Sequence, residues 1–584
     1  MSSEEPIQEK QIRQVSSTQS SCKWLGRKWI IRSALSVLVA LSTSLYLRPD
    51  IIEIDVDIDT ALDYFRPLDR DSYWEGAREE VKDAFVDSWD AYAEHAWGQD
   101  RFHPISKTGS QMSPSGLGWI IVDSLDTLMI MNLTDQLSDA RIWLNRGLTY
   151  DQNQEVNTFE TTIRMLGGLL SADYLSTQFL HLSSRRDYVY LQQAVDLADR
   201  LLSAYETPSG IPWSSVNIGK RKGVVNIADN GASSIAEVTT LQMEMKYLAE
   251  LTGNEVYWRK AEHIMKVVDD LRVRDGLVPI HIDPETGKFQ NQNIRLGSRG
   301  DSYYEYLIKQ YLHTCGHEPI YSEMWEEALE GIQKHLITTS KHSNLHFVAE
   351  LPFGIGSTLT PKMDHLVCFL PGSIVLGVTE GKTEAEARKL PTWNAQKERQ
   401  MELARELMKT CYAMYAVTAS GLSAEISWFR TDKADLMSLP GLRSRPRSSN
   451  NVKKWKEDFI IKPPDAHNLQ RPETVESLFL MFRVTEDSMY RQWGLKIFKA
   501  FQRHTGVVGG KGYTSLSDVA KNPPIQRDNM ESFWLSETLK YLYLLFSPRE
   551  YLPLTEIVFN TEAHPFPRLK NPRFQTGWSR KERT

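Results

Sequence analysis

Six acidic residues and one histidine recur along this chain, each at the start of an apolar-periodic segment: Glu160, Glu237, Asp301, His365, Glu425, Glu473 and Glu537. Consecutive members are 77, 64, 64, 60, 48 and 64 residues apart, a spacing that fits one helical hairpin with its loops. In a ring of such hairpins, every helix start would face one central cavity. A cavity lined by many carboxylates suits sugar-cleaving chemistry, so the pattern bears on function as well as on fold.

Two carboxyl groups would suffice for glycoside hydrolysis. One protonates the leaving oxygen, and the other activates water or attacks the sugar. Crowding raises the pKa of some carboxyl groups, which keeps an acid protonated near neutral pH. The surplus of acids also suggests a hard cation with oxygen ligands. A single acid at a helix start is ordinarily a cap, so the interpretation depends on the joint pattern.

Cations and aromatic residues accompany the acids at matched places. Arg164 follows Glu160 by one helical turn on the same face, and Phe533 precedes Glu537 by one turn. The segment 558–565 (VFNTEAHP) adds a short polar loop near the end of the chain. The residues alone therefore favour a helical glycosidase and are compatible with bound calcium, but they do not identify the sugar.

Helical periodicity dominates from about residue 76 onward. The i, i+3, i+4, i+7 spacing of a buried helix face occurs at Val475, Leu478, Phe479 and Phe482. It recurs in the last such segment at Leu535, Leu539, Leu542 and Phe546. Strand-like alternation is confined to short runs, so the sequence predicts an all-α fold.

The composition excludes several classes of protein. The chain has 584 residues, 41% of them hydrophobic and 24% charged, which is enough to bury a large core. Its net charge of −7 argues against general nucleic-acid binding. Four cysteines are too few for a disulfide scaffold, and no cluster of Cys and His predicts zinc. Oligomeric state is left open by the sequence.

The N-terminal region is that of a membrane-anchored protein. Residues 1–28 are polar and end in a basic run, and residues 29–47 supply 19 mostly apolar residues, enough to span an endoplasmic reticulum bilayer. The acidic flank that follows predicts residues 1–28 as a cytosolic tail and places the bulk of the chain in the lumen. The alternative is a cleaved signal peptide, although its leading polar region would be unusually long.

The remaining boundaries follow from composition. Residues 48–75 are predicted to be a short luminal stem, 76–570 the catalytic domain and 571–584 a C-terminal tail. Residues 438–457, rich in Pro, Ser, Arg and Lys, are predicted to form an insertion loop of undetermined role. Asn132 begins the sequon Asn-Leu-Thr and is a plausible site for a luminal glycan.

Six blocks of sequence resemble the class I α-1,2-mannosidases, glycoside hydrolase family forty-seven. They are FETTIRMLGGLLSADYL (159–175), GDSYYEYLIKQYL (300–312), MDHLVCFLPG (363–372), RPETVESLF (471–479), ESFWLSETLKYLYLLFS (531–547) and VFNTEAHP (558–565). The resemblance runs in order from about residue 76 to 570. It implies an (α/α)7 barrel, bound Ca²⁺ and inverting hydrolysis of α-1,2-linked mannose from high-mannose N-glycans.

The resemblance also implies roles for individual residues. Glu160 and Asp301 would form the acid side of the site, without a decision as to which delivers the proton, and Glu473 would be the base. Thr561 would bind Ca²⁺ through its hydroxyl and carbonyl oxygens, with waters completing the shell. The residues expected to bind substrate are Arg164, Arg299, His365, Arg471, Phe533, Glu537 and Glu562.

Further acids are expected in the cavity by the same resemblance: Asp126, Glu237, Glu305, Glu425 and Glu476. For Asp126 and its neighbour Asp123, a helix-capping role is an equal alternative. Glu425 is the least secure, because the family usually has proline where this chain has Ala424. Cys368 and Cys411 match the positions of the family's structural disulfide.

Arg299 is the residue that bears most on specificity. Members of the family from the endoplasmic reticulum resemble this chain in having arginine there, whereas Golgi members tend to have leucine. The resemblance thus implies residence in the endoplasmic reticulum membrane and removal of a single mannose from the nine-mannose glycan. The alternatives are a Golgi-type enzyme with broader trimming and a glycan-binding degradation factor with little hydrolysis.

Overall fold

The computed structural model describes residues 71–112, 116–432 and 454–581. The predicted cytosolic tail, the membrane segment, the stem up to residue 70 and most of the 438–457 insertion lie outside these residues. Within them, no helix combines the length and apolar character needed to cross a bilayer. All of the described residues belong to one compact unit.

Seven pairs of contacting helices build this unit, as far as the described residues show. Each pair has an inner and an outer member, in that order: Leu125–Ile130 with Thr134–Arg146, Gly167–Gln178 with Tyr188–Leu201, Gln242–Thr252 with Glu255–Asp270, Asp301–His313 with Pro319–His335, Leu370–Thr379 with Ala395–Ala416, Glu473–Thr485 with Ser488–Thr505, and Leu539–Phe546 with Asp71–Ala96.

The inner helices contact one another in sequence order and close into a ring. Leu125–Ile130 meets Gly167–Gln178, and the contacts continue through the five inner helices that follow. The ring closes where Leu125–Ile130 meets the π-helical turn Trp534–Thr538, which runs into the last inner helix. The all-α prediction is confirmed, and the closed order is that expected of an (α/α)7 barrel.

Burial follows the predicted helix faces closely. Val475, Leu478 and Phe479 are fully buried, as are the leucines predicted for the last inner helix. Phe482 differs, because it is only half-buried and lies under the guanidinium of Arg491, 3.9 Å from its ring centre. Burying one leucine or phenylalanine side chain completely stabilises the folded state by about 1.5–3 kcal/mol. The apolar periodicity therefore reflects the packing of the ring.

Short antiparallel strands connect the helices. Their groups are Arg101–His103 with Thr108–Ser110; Glu155–Asn157, Ser215–Asn217 and Lys222–Val224; Ser233–Ser234 with His281–Ile282; Ile337–Thr339 with His346–Val348; Lys362–Asp364, Ile426–Phe429 and Phe459–Ile460; Ser515–Asp518 with Ile525–Arg527; and Ile557–Phe559 with Pro565–Pro567. The last hairpin contacts the inner helices Gly167–Gln178 and Asp301–His313, and its tip carries residues 560–564.

One expectation about local structure is wrong. Glu425 does not start a helix but precedes Ile426–Phe429, the central strand of a three-stranded sheet. The described part of the predicted C-terminal tail contacts the helices of the ring. Arg580 pairs with Asp269 at 3.0 Å and with Glu327 at 2.6 Å, so the segment is fastened to two outer helices.

Cys368 and Cys411 form a disulfide, as the resemblance implied, and Cys315 is a free thiol. The bridge joins residues 43 apart in sequence, and closing a loop of that length stabilises a fold by about 4 kcal/mol in the chain-entropy treatment. We expect the double variant Cys368→Ser/Cys411→Ser to lose up to about 4 kcal/mol of unfolding free energy in urea denaturation. Cys315→Ser is the matched control, and equal midpoints for both variants would contradict the prediction.

Candidate active site

A cavity of about 300 Å³ opens where several inner helices begin. Asp301 and Glu473 are the first residues of their helices, and both line the cavity. The sequence-predicted residues that line it are Glu160, Arg164, Glu237, Arg299, Asp301, Arg471, Glu473, Phe533, Glu537, Thr561 and Glu562. An adjoining groove of about 610 Å³ shares Glu160, Arg164, Arg471 and Phe533 with it.

Arg164 connects two acids of the cavity wall. The π-helical turn Thr161–Leu166 carries Arg164 next to Glu160, and its Nε donates to Glu160 Oε2 at 2.8 Å. Its Nη1 pairs with Glu562 on the hairpin tip and donates to Ser532 Oγ at 3.3 Å. The guanidinium thus fixes Glu160 and Glu562 relative to each other and partly neutralises both.

His365 holds Glu473 in its ionised form. The Nδ1 atom of His365 lies 2.7 Å from Glu473 Oε2, and Nε2 lies 2.8 Å from the Tyr415 hydroxyl. Burial raises the pKa of Glu473, but the His365 hydrogen bond and the charge of Arg471 outweigh it, so the pKa lies below its ordinary value. His365 is itself buried and does not line the cavity, unlike the sugar contact that was expected.

The pKa of Asp301 is shifted in the opposite direction. Burial raises its pKa to about 7, and the charges of Glu305 and Glu473 act in the same direction. The hydrogen bond that Asp301 accepts from the Ser302 N–H acts against this rise. The carboxyl group of Asp301 is therefore substantially protonated near neutral pH. The cavity holds one carboxyl poised to give a proton and one, Glu473, poised to take one.

Thr561 lies at the tip of the last hairpin among buried carboxylates. Its hydroxyl donates to Glu305 Oε2 at 2.7 Å. Lys309 pairs with Glu305 and, at 3.1 Å, with Glu476. Lys309 Nζ also donates to the Asn560 carbonyl at 3.3 Å, so one cation ties the acids of two inner helices to the hairpin tip.

Residues 84–568 match the family described as Glycosyl hydrolase family 47. The mannosyl-oligosaccharide 1,2-α-mannosidase of Candida albicans is 51% identical over 519 residues, covering 87% of each chain. The endoplasmic reticulum mannosyl-oligosaccharide 1,2-α-mannosidase of Saccharomyces cerevisiae is 46% identical, covering 86% of this chain and 93% of that protein. This chain belongs to glycosyl hydrolase family 47.

A solved structure of similar fold supports the same assignment. The α-1,2-mannosidase of Trichoderma reesei superposes with a TM-score of 0.72 at 28% identity, covering 85% of this chain and 99% of that chain. The family is one of glycosidases, so the chain is a glycosidase. The carboxyl groups of Asp301 and Glu473 differ in pKa, one raised and one lowered, as the acid and base of a glycosidase must.

The charge balance around Thr561 fits a calcium ion of the kind expected for family 47. Burial raises the pKa of Glu537 well above its ordinary value, and the charge of Glu562 adds to the effect. Burial likewise raises the pKa of Glu562 to about 8 and that of Glu476 to about 7. A divalent cation would reduce the repulsion among these carboxylates. All of the groups that could bind it there are oxygen ligands, which Ca²⁺ prefers.

The direct ligands of such an ion would be few. Within the described ranges, no three carboxylate, imidazole or thiolate groups converge on one metal position. The family resemblance assigns the direct bonds to the oxygens of Thr561 and to waters, which Glu476, Glu537 and Glu562 would hold.

Asp126 lies outside the cavity, contrary to expectation. It is fully buried, 2.9 Å from Lys540 and 2.8 Å from His564, which belongs to the hairpin tip. Burial raises its pKa, but the charges of Lys540 and His564 outweigh burial and hold it at about 2. Asp123 also contacts His564, at 3.3 Å. Through His564, these acids hold the hairpin tip from the side away from the cavity lining.

The other predicted acids have protein partners. Glu425 pairs with Arg471, whose guanidinium carbon lies 5.4 Å from the ring centre of Phe533. Glu237 caps the helix Ile235–Thr239 in a capping box and also reaches the cavity. Glu425 therefore orients an arginine of the site without lining the cavity itself.

Several buried residues of the site were missed by sequence reasoning. Lys309 could have been found from its position four residues after Glu305, the spacing of a helical ion pair. Lys540 stands in an otherwise apolar helix, where a lysine needs a buried partner such as Asp126. Glu244, fully buried against Tyr306 and Asn560, gave no comparable signal.

Proposed function

We propose that this chain hydrolyses α-1,2-linked mannose from high-mannose N-glycans, with inversion and with dependence on Ca²⁺. The observation that carries the proposal is the contrast between two carboxyl groups in one cavity. Asp301 has a pKa of about 7, while Glu473 has a depressed pKa and stays ionised. Relatives at 51% and 46% identity bear the name mannosyl-oligosaccharide 1,2-α-mannosidase, which supports the choice of sugar and linkage.

In this reaction, Glu473 takes a proton from the attacking water, and the acid side of the cavity, Glu160 and Asp301, supplies a proton to the leaving oxygen. Inverting enzymes have acid and base carboxyls about 6.5–9.5 Å apart, which leaves room for the water. Phe533 stacks on the terminal mannose. The groups that hydrogen-bond its hydroxyls are Arg164, Arg471, Glu537 and Glu562.

Thr561 is the proposed protein ligand of the metal. A Ca²⁺ ion held there would supply Lewis-acid chemistry toward the hydroxyl groups of the sugar. The chain's own contribution is to hold Thr561 by the Glu305 hydrogen bond and to surround it with carboxylates. Arg299, at the cavity wall, selects one branch, so the nine-mannose glycan yields a single eight-mannose isomer.

The proposed location is the endoplasmic reticulum membrane, in a single-pass orientation with the catalytic domain in the lumen. Relatives from two yeasts carry endoplasmic reticulum in their names. The apolar segment 29–47 is the proposed anchor, with 1–28 cytosolic and 48–70 as stem, and the catalytic domain begins with the outer helix Asp71–Ala96. The disulfide between Cys368 and Cys411 supports an oxidising compartment such as the lumen.

Product mapping on the nine-mannose glycan tests the function. We expect one mannose to be released rapidly, as the β-anomer, and further trimming to be slow. A chelator should abolish release, and added Ca²⁺ should restore it. Rapid release of several mannoses would indicate the broader trimming of a Golgi-type enzyme. Binding of the glycan with no release under any condition would indicate a lectin-like factor and refute the proposal.

A further inference from the structure

Arg299 occupies a strained position at the cavity wall. Its φ is 77°, in the left-handed region that a residue with a side chain seldom adopts. The backbone is held there because the Arg299 carbonyl accepts the Ala236 N–H at 3.0 Å. Strain of this kind persists only where the surroundings fix it, and it occurs preferentially at functional sites. The backbone conformation therefore fixes the direction in which the Arg299 side chain extends from the cavity wall.

Asp229 holds the guanidinium of Arg299 from one side. Its Oδ1 accepts from Arg299 Nη1 at 2.6 Å, and its Oδ2 accepts from Asn226 Nδ2 at 2.8 Å. The hydrogen bond from Arg299 lowers the pKa of Asp229, so the carboxylate is ionised at neutral pH. Because both oxygens already accept from the protein, Asp229 is arranged to orient Arg299 although it also lines the cavity.

His281 holds the same nitrogen from a second side. Its Nε2 contacts Arg299 Nη1. A guanidinium can only donate, so Nε2 must be unprotonated to accept. Burial and the charge of Arg299 lower the pKa of His281, in agreement with a neutral ring. The Nη1 group of Arg299 is therefore shared between two acceptors.

The rest of the guanidinium faces the cavity. Among the described residues, Arg299 Nε and Nη2 donate to no protein acceptor, and the side chain is 38% exposed. A guanidinium is planar and presents its donors in a fixed fork. Anchoring Nη1 therefore sets the plane in which the remaining N–H groups meet a ligand. Sugar hydroxyls are acceptors that such a fixed set of donors can distinguish by position.

We propose that Asp229, assisted by His281, is a positioning residue that gives this glycosidase its branch selectivity by fixing the guanidinium plane of Arg299. The inference rests on the proposed function, in which Arg299 selects one branch of the high-mannose glycan. Without the carboxylate, the long side chain samples several rotamers, and its donors accommodate more than one branch. Selectivity would then fall even though Arg299 itself is still present.

The test is a double-mutant cycle on branch selectivity. Wild type, D229N, R299L and the double variant are compared on the nine-mannose glycan, by the ratio of the rate of first mannose removal to that of the second. We expect D229N to lower this ratio about fivefold to tenfold, in the direction of R299L, and to add nothing in the R299L background. D270N, which breaks a surface contact with Lys266 and Lys581, is the matched control and should leave the ratio unchanged.

Two outcomes would overturn the inference. An unchanged ratio in D229N would show that Asp229 does not set selectivity, and an equal loss in the wild-type and R299L backgrounds would show that it does not act through Arg299. A thermal unfolding midpoint is recorded for each variant, because a purely structural effect would lower the midpoint and total rate while leaving the ratio intact.

Failure of the proposed function would be visible separately. If wild type released no mannose, the function would be wrong, and the cycle would be repeated with calorimetric affinity for the nine-mannose glycan. Coupled losses of affinity in D229N and R299L would still support positioning, whereas additive losses would refute it.

Discussion

The Glu473→Gln variant is expected to lose about 10²–10⁴-fold in kcat on the nine-mannose glycan, since a glutamine amide cannot accept a proton from water. The change keeps the size of the side chain, and the helix Glu473–Thr485 should be unaffected. Glu486→Gln is the matched control, because Glu486 stands at the other end of the same helix and pairs with Arg549 at 3.5 Å on the surface. The measurement is steady-state mannose release at saturating glycan.

An external nucleophile provides the sharper form of this prediction. Azide has no proton to lose, so it does not need a general base. With α-mannosyl fluoride as substrate, the Glu473→Gln enzyme should form β-mannosyl azide and fluoride, the anomer expected for inversion. Full activity of the variant on the glycan would eliminate Glu473 as the base, and an α-azide product would eliminate inversion.

The Asp301→Asn variant is expected to lose about 10²–10⁴-fold on the glycan but to keep most of its activity on α-mannosyl fluoride. Fluoride departs without a proton, so an enzyme that lacks only its acid can still cleave this substrate. Retained fluoride cleavage separates the acid from the base, whose loss affects both substrates. If Glu160→Gln shows this pattern and Asp301→Asn does not, Glu160 is the proton donor.

The pH dependence of glycan cleavage should also distinguish the proton donor from the base. Asp301 acts in its protonated form and has a pKa of about 7, so glycan cleavage should fall as the pH rises through about 7. Glu473 acts in its ionised form, and its depressed pKa keeps it ionised until the pH is well into the acid range. In Asp301→Asn with the fluoride substrate, the fall near pH 7 should disappear and the acid limb should remain. A persistent alkaline limb would assign it to another group.

The ring of helices was predictable because one physical pattern repeats. The inner helices bury apolar faces, and Asp301 and Glu473 show helix starts that face the cavity, so the recurrence of polar residues near helix starts indicates the ring. Glu425 shows where this reasoning fails. An acid before a short apolar run is compatible with a strand as well as a helix, and pairing with Lys362–Asp364 and Phe459–Ile460, distant in sequence, decided for the strand.

The positions of the acids were less predictable than their identities. Whether a buried carboxylate faces the cavity depends on cations that reach it from other elements. Asp126 is turned away by Lys540 and by His564, which stands 438 residues from it in sequence. His365 likewise contacts Glu473 where a sugar contact was expected. No local spacing encodes these partners, because each contact forms only when the ring closes.

Ring closure also determines when the enzyme can first act. The outer helix Asp71–Ala96, with Trp74, Val81 and Phe85 buried, packs against the inner helix Leu539–Phe546. During synthesis, the apolar face of the helix Asp71–Ala96 therefore stays uncovered until the inner helix Leu539–Phe546 has left the ribosome. The hairpin that carries Thr561 emerges later still. A nascent chain exposes this face to chaperones and has no complete site, so translation itself delays glycan cleavage until the polypeptide is finished.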